Sequence, residues 1–145
     1  MLLNYTTTID PERTISEIQR MLLAHGVTAM MTEYDGRQVS SVSFQIVMHG
    51  KKAGFRLPCN WRAVRAVFDE QGIRSVKHKD KDLDNQATRT AWRIVFEWVR
   101  AQLALVEVNM VTVPQIFLPY MIMRDDRTLA EHVESNPAFL LGQGE

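Results

Sequence analysis

Apolar and polar residues follow one another along this chain with changing periods, and each change marks an element. Leu3 to Ile9 reads as a short strand, because Thr6, Thr7 and Thr8 supply β-branched side chains suited to a pleated surface. Asp10 ends it and is placed to cap the helix that follows. Pro11 suits the first helical position, and Ile15, Ile18 and Leu22 recur on one face until Gly26 closes the helix. Val27 to Tyr34 and Arg37 to Met48 flank Asp35-Gly36, a two-residue hairpin signal because both turn positions need positive φ. In the second arm Val42, Phe44, Ile46 and Met48 alternate with Ser43, Gln45 and Val47. Val39 has the opposite parity, which predicts a bulge at Ser40-Ser41. A polar turn, His49 to Lys52, leads into a further strand with Ala53, Phe55 and Leu57 inward and Gly54 and Arg56 on the other face.

Beyond Pro58 the period becomes helical. Asn60 caps a helix whose apolar side is Trp61, Val64, Val67 and Phe68, with Arg62, Arg65 and Glu70 wet and Gly72 at its end. Val76 to Leu83 has no apolar periodicity and reads as an exposed loop. Asp84 or Asn85 then caps the longest helix, running to about Asn109, with apolar residues around most of its circumference and a narrow polar stripe of Arg89, Arg93, Glu97 and Arg100 that pairs along itself. Thr112 caps a short helix, Pro119 interrupts the apolar run Ile116 to Met123, and Thr128 with Glu131 has capping-box spacing. The tail after about residue 136 reads as irregular.

This order predicts one α+β domain over residues 1–145, a small, mostly antiparallel sheet with a β-hairpin packed against the long helix and shorter helices. Trp92, Phe96, Val99, Leu103 and Phe117 cannot all face one sheet. The expectation is a homodimer through the helix and the Val111 to Met123 segment, and the alternative is that the C-terminal segment folds back over the helix within its own chain. Composition agrees with one domain: 145 residues with 46% hydrophobic content bury roughly two thirds of their unfolded surface without staples. Cys59, the single cysteine, forms no internal disulfide, and the opening lacks a signal-peptide pattern, so a cytoplasmic location is expected. Apolar stretches such as Ile116 to Met123 are far short of the ~20 residues that cross a bilayer, and no membrane partner is expected.

Charge changes the picture most. The net charge is zero, yet Gly50 to Lys81 holds nine basic residues against Asp69, Glu70 and Asp80, interleaved with Phe55, Trp61 and Phe68. Clustered cations favour an acidic partner. Single-stranded nucleic acid fits best, with Lys51, Lys52, Arg56, Arg62, Arg65, Lys77, Lys79 and Lys81 on phosphates and Trp61 as a stacking platform. For each aromatic the competing reading is a core residue. The rival function is a protein that inhibits a host protein or sequesters a phosphorylated ligand, with Arg56, Arg89 and Arg93 making directional contacts.

Catalytic signatures are missing. His25, His49, His78 and His132 lack metal-ligand spacing, and no glycine-rich phosphate loop or nucleophile elbow occurs, so neither metal nor cofactor is expected. Cys59 precedes a predicted helix but has no histidine close in sequence, which favours an inert thiol. A small hydrolase or nuclease is the third reading, and it requires folding to bring residues such as Glu33, Asp35, His49 and Cys59 together.

The strings Phe55-Arg56-Leu57-Pro58, Ala91-Trp92-Arg93 with Trp98, Ala101-Gln102-Leu103-Ala104 and Phe117-Leu118-Pro119-Tyr120, with the opening Tyr5-Thr6-Thr7-Thr8-Ile9, resemble those of an uncharacterised family of small bacteriophage and mobile-element proteins. The resemblance covers most of the chain and implies a setting rather than an activity: a phage-type accessory protein acting on nucleic acid or host machinery.

Overall fold

The computed structural model describes residues 1–73, 80–136 and 138. Helix α1 (Pro11–Leu23) precedes three strands, β1 (Ala29–Asp35), β2 (Gln38–Met48) and β3 (Lys51–Arg56). Helices α2 (Trp61–Glu70), α3 (Asp80–Glu107), α4 (Val113–Phe117) and α5 (Leu129–Ser135) follow, with a 3-10 turn at Leu118–Tyr120. The sheet is antiparallel in the order β1-β2-β3, so the fold is α+β with a long helix.

Local chemistry explains most of the sheet. Glu33 faces Ser41 and Tyr34 faces Val39, leaving Ser40 as the extra residue of a bulge where the parity of β2 changes. Asp35 still pairs with Gln38, so the first turn is Gly36-Arg37, one residue later than Asp35-Gly36. Only Gly36 has positive φ there, at 63°, whereas His49 (51°) and Gly50 (77°) both do at the second turn. The turn with two left-handed positions is therefore the His49-Gly50 one, and His49 accepts that backbone at a steric cost. Beyond β3 the chain adds a short extension: Phe55 bridges Met121, and the Ile122 N–H donates to the Gly54 carbonyl at 2.8 Å.

The predicted first strand is not formed. Asn4 has φ 62°, the N–H groups of Tyr5 and Thr7 turn back on the Leu2 and Asn4 carbonyls, and no strand lies alongside. Side chains of α3 satisfy this segment instead: Gln86 Nε2 donates to the carbonyls of Tyr5 and Thr7, both at 2.9 Å, and Thr90 Oγ1 to that of Asn4 at 3.0 Å. Asp10 occupies the N-cap position of α1 by its backbone but makes no side-chain cap bond, and Pro11 starts the helix as expected. Asn60 does cap α2, accepting from the Ala63 N–H at 3.2 Å. Thr112 with Gln115 and Thr128 with Glu131 form capping boxes on α4 and α5.

Helix α3 begins at Asp80, upstream of both predicted caps. Asp84 and Asn85 lie inside it and are held from the side, Asp84 by Arg65 and Asn85 by the Gln38 amide at 2.7 Å. The part of the expected loop from residue 80 to 83 is thus helical, with Leu83 buried, while residues 74–79 lie outside the described residues, as does most of the tail. The 28 residues of α3 extend about 42 Å at 1.5 Å per residue. It packs against α1, α2 and the sheet. Ile15, Ile18, Leu22, Val42, Phe44 and Phe55 share one core with Trp92, Val99 and Leu103, and Trp61, Phe68 and Leu83 share a second with Ala87 and Ala91. Trp92 is fully buried, and its indole N–H donates to the Val39 carbonyl at 3.2 Å, beside the bulge.

The C-terminal segment folds back. Phe117 is fully buried, edge-on to Phe44 at 5.0 Å between ring centres and to Trp98 at 5.7 Å. Trp92, Phe96, Val99, Leu103 and Phe117, the five side chains that motivated a second subunit, are all buried within one chain. Among the described residues, the large apolar side chains exposed on this side are Leu105, Val108, Met110 and Leu118, at the end of the helix and beyond. Phe117→Ala is expected to lower unfolding free energy by about 3–5 kcal/mol, through lost transfer energy and a cavity against Phe44 and Trp98. Urea denaturation checks this; an unchanged midpoint would show that α4 is not part of the folding core.

Candidate functional site

Among the described residues of the basic segment, Arg56, Arg62 and Arg65 are paired and Lys51 and Lys52 are exposed. Arg56, at the end of β3, donates through Nη2 to Asp126 Oδ1 at 2.9 Å and through Nη1 to the Asp126 carbonyl at 3.1 Å. Arg62 donates through Nε to Asp35 Oδ2 at 3.1 Å, tying α2 to the hairpin turn. Arg65 is not wet: its side chain is 19% exposed and paired with Asp84 of α3 and with Asp69. Lys51 and Lys52 stand exposed beyond the His49-Gly50 turn. Lys81 lies by its backbone in the first turn of α3, and Arg74, Lys77, His78 and Lys79 fall outside the described residues.

The aromatics of this segment are core. Phe55 and Phe68 are fully buried, and Trp61 is 9% exposed, packed with Phe68, Ile73 and Leu83. The Arg62 guanidinium lies over the Trp61 ring at 4.6 Å. No face of Trp61 is left open for a base, which corrects its reading as a stacking platform. Tyr34 is the exposed aromatic among the described residues, at the hairpin end of β1.

A cleft of about 540 Å³ opens where the segment after β3 meets α5. Arg56, Asn60, Tyr120, Glu131 and Glu134 give it polar groups, and Leu57, Pro58 and Ala130 its apolar wall. Pairing with Asp126 fixes the Arg56 guanidinium from one side. Glu131 is fixed by the capping box, and the Thr128 backbone N–H and hydroxyl hold its carboxyl below the usual range. Glu134 is exposed one turn further on. The cleft thus joins a cation and two carboxylates to apolar groups, a mixture suited to a peptide-like ligand. Apart from Arg56, none of these groups carries a sequence signal for binding; only the capping box, a structural motif, singled out Thr128 and Glu131.

The arginines of the phosphate-binding alternative do not converge. Arg89 donates to Gln86 Oε1 and lines a separate polar hollow of about 190 Å³ with Asp10, Glu12 and Arg37. Arg93 reaches Glu17 of α1 at 3.3 Å and lies over Phe96, rather than pairing along its own helix. Nor do the residues of the hydrolase reading meet. Asp35 and His49 sit at opposite ends of β2, about 33 Å apart along the strand at ~3.3 Å per residue. Asp125 is held below the usual carboxylate range by its hydrogen bond from His132, within the C-terminal turn. Among the described residues no three His, Cys, Asp or Glu side chains form a metal-holding group, and no helix is long and apolar enough to cross a membrane.

No protein-family model, curated protein or solved structure matches the chain. The reading of function therefore rests on geometry.

Cys59 lines the cleft and packs against both cores, and burial pushes its thiol up from 9.0 to about 12. The unfolded thiol ionises first, so between pH 9 and 12 this group removes stability as pH rises. A disulfide-exchange reagent is expected to modify the folded protein slowly, at a rate still climbing above pH 10, and the unfolded protein with an ordinary thiol profile. Rapid modification of the folded protein at pH 8 would contradict this.

Proposed function

We propose that this chain is a non-enzymatic interaction protein, of the phage or mobile-element type that the resemblance implies, and that it holds a segment of a host protein in the cleft between the end of β3 and α5. The observation that carries the reading is a single cleft lined by Arg56, Glu131 and Glu134 together with Leu57, Tyr120 and Ala130. A lysine or arginine of the partner fits the carboxylates with its aliphatic stem on the apolar groups, and a partner carbonyl or carboxylate fits Arg56. A phosphorylated small ligand suits this cleft less well, because two carboxylates face it. Such a site acts by position and charge, with no need of a nucleophile. Capture from nuclease-treated host lysate tests the reading: a partner retained by the wild type is expected to be lost, at least tenfold, from Glu134→Lys. A partner held equally by that variant, or none at all, overturns it.

Nucleic-acid binding is kept as a second reading by one observation, the exposed Lys51-Lys52 pair at the sheet end with no carboxylate bonded to it among the described residues. It now rests on electrostatics without stacking. Single strands are expected to bind with a salt slope that falls by about 1.4 when both lysines become alanine, at about 0.7 per phosphate contact. Titration of a labelled oligonucleotide at two salt concentrations measures this, and no binding at low salt with micromolar protein removes the reading.

A further inference from the structure

Among the described residues, one face of the sheet keeps exposed apolar side chains. Directly opposed residues of an antiparallel pair share a face, so Ala29, Gln45 and Gly54 form one outward row, Met31, Ser43 and Arg56 the next, and Val47 and Lys52 a third. The inward residues Phe44 and Phe55 are fully buried, whereas Met31 is 57% and Val47 56% exposed. Beside them is a hollow of about 180 Å³ lined by Ala29, Met31, Ser43, Gln45, Gly54 and Ile122. Gly54 creates it: a Cβ there would stand 3.6 Å from Ile122 Cδ1, in ordinary contact and within the empty space. Ser43 lines the hollow at 7% exposure, and its Oγ, like that of Ser41, is buried with no hydrogen-bond partner among the described residues.

We infer that this face binds a second copy of the chain, forming a symmetric sheet-on-sheet dimer. Knob and hole lie on the same surface, as an isologous interface requires. The charges fit as well. Near the centre of the face the charged group is Arg56, which is paired with Asp126, and Glu33 and Lys52 occupy diagonally opposite corners. A two-fold axis lying in the interface, perpendicular to the line joining those corners, sets Glu33 of each copy over Lys52 of the other. The same rotation carries Met31 from the β1 side to the Gln45-Gly54 side, where the partner's hollow lies. Two sheets packed in this way stand about 10 Å apart with their side chains interleaved. The inference is independent of the cleft and differs from the helix-mediated dimer expected from the sequence.

Sedimentation equilibrium of the full chain from 1 to 100 μM tests it, with far-UV circular dichroism to show that each variant is folded. The wild type is expected to sediment at twice 16.7 kDa in the upper part of that range. Gly54→Val fills the hollow and Glu33→Lys sets like charges together, and each is expected to weaken the dimer at least tenfold. The double variant Glu33→Lys with Lys52→Glu restores the pairing with reversed sign and is expected to recover it. A monomer at 100 μM overturns the inference, as does a dimer indifferent to Gly54→Val and Glu33→Lys, which would place the contact elsewhere, such as the exposed end of α3. Failure of the double variant to recover the dimer, or a wild type that stays monomeric while this face takes up a different protein, overturns it too.

Discussion

The indole of Trp92 stands where the layers of this protein meet. It is fully buried in α3, and its N–H donates to the Val39 carbonyl beside the one-residue bulge of β2. An indole excluded from water needs a partner for its single donor, and the carbonyl beside the bulge provides it. The bond fixes how the long helix lies against the sheet. From that anchor α1 and α2 pack on the flanks of α3 and Phe117 closes the remaining side, so a helix with apolar residues around most of its circumference finds cover within one chain.

Charge serves the same end. Three arginines of the basic segment each reach a carboxylate on another element: Arg62 the hairpin turn, Arg65 the start of α3, Arg56 the turn before α5. Guanidinium groups suit this use because they donate in more than one direction while their stems cover apolar surface, as Arg62 does over Trp61. Among the described residues, Lys51 and Lys52 at the sheet end are the exposed cations of this segment with no carboxylate bonded to them. The aromatics between these cations face inward, whereas among the described residues the mixed cleft and part of the outer sheet face stay open.

Both surfaces arise from departures in otherwise regular elements. Gly54 removes a side chain from the outer face of β3 and leaves a hollow over Ser43. The turn from Arg124 to Arg127 brings Asp126 against Arg56 and sets α5, with Glu131 and Glu134, across from Asn60. In each case the functional geometry depends on a pairing between segments some 70 residues apart, such as Ile122 with Gly54 and Asp126 with Arg56.

What the sequence by itself determined is what depends on neighbours a few positions away. The buried faces of α1 and α2, the caps at Asn60, Thr112 and Thr128, the bulge at Ser40 and the inward parity of Phe55 all follow from periodicity and backbone hydrogen bonding within one turn or one strand pair. The tertiary structure decided the rest. The threonine-rich opening is no strand because nothing lies beside it to complete a ladder, and α3 side chains take its carbonyls instead. Asp84 and Asn85 read as caps because their polarity is the same whether they end a helix or hold a neighbour from its flank. The charge of Arg56, Arg62 and Arg65 is visible in sequence, whereas the carboxylates that they reach on other elements stand 19 to 70 residues away. Local propensity is a property of residues in order, but which cation stays free and which apolar face stays open are settled only when distant segments have competed for the same contacts.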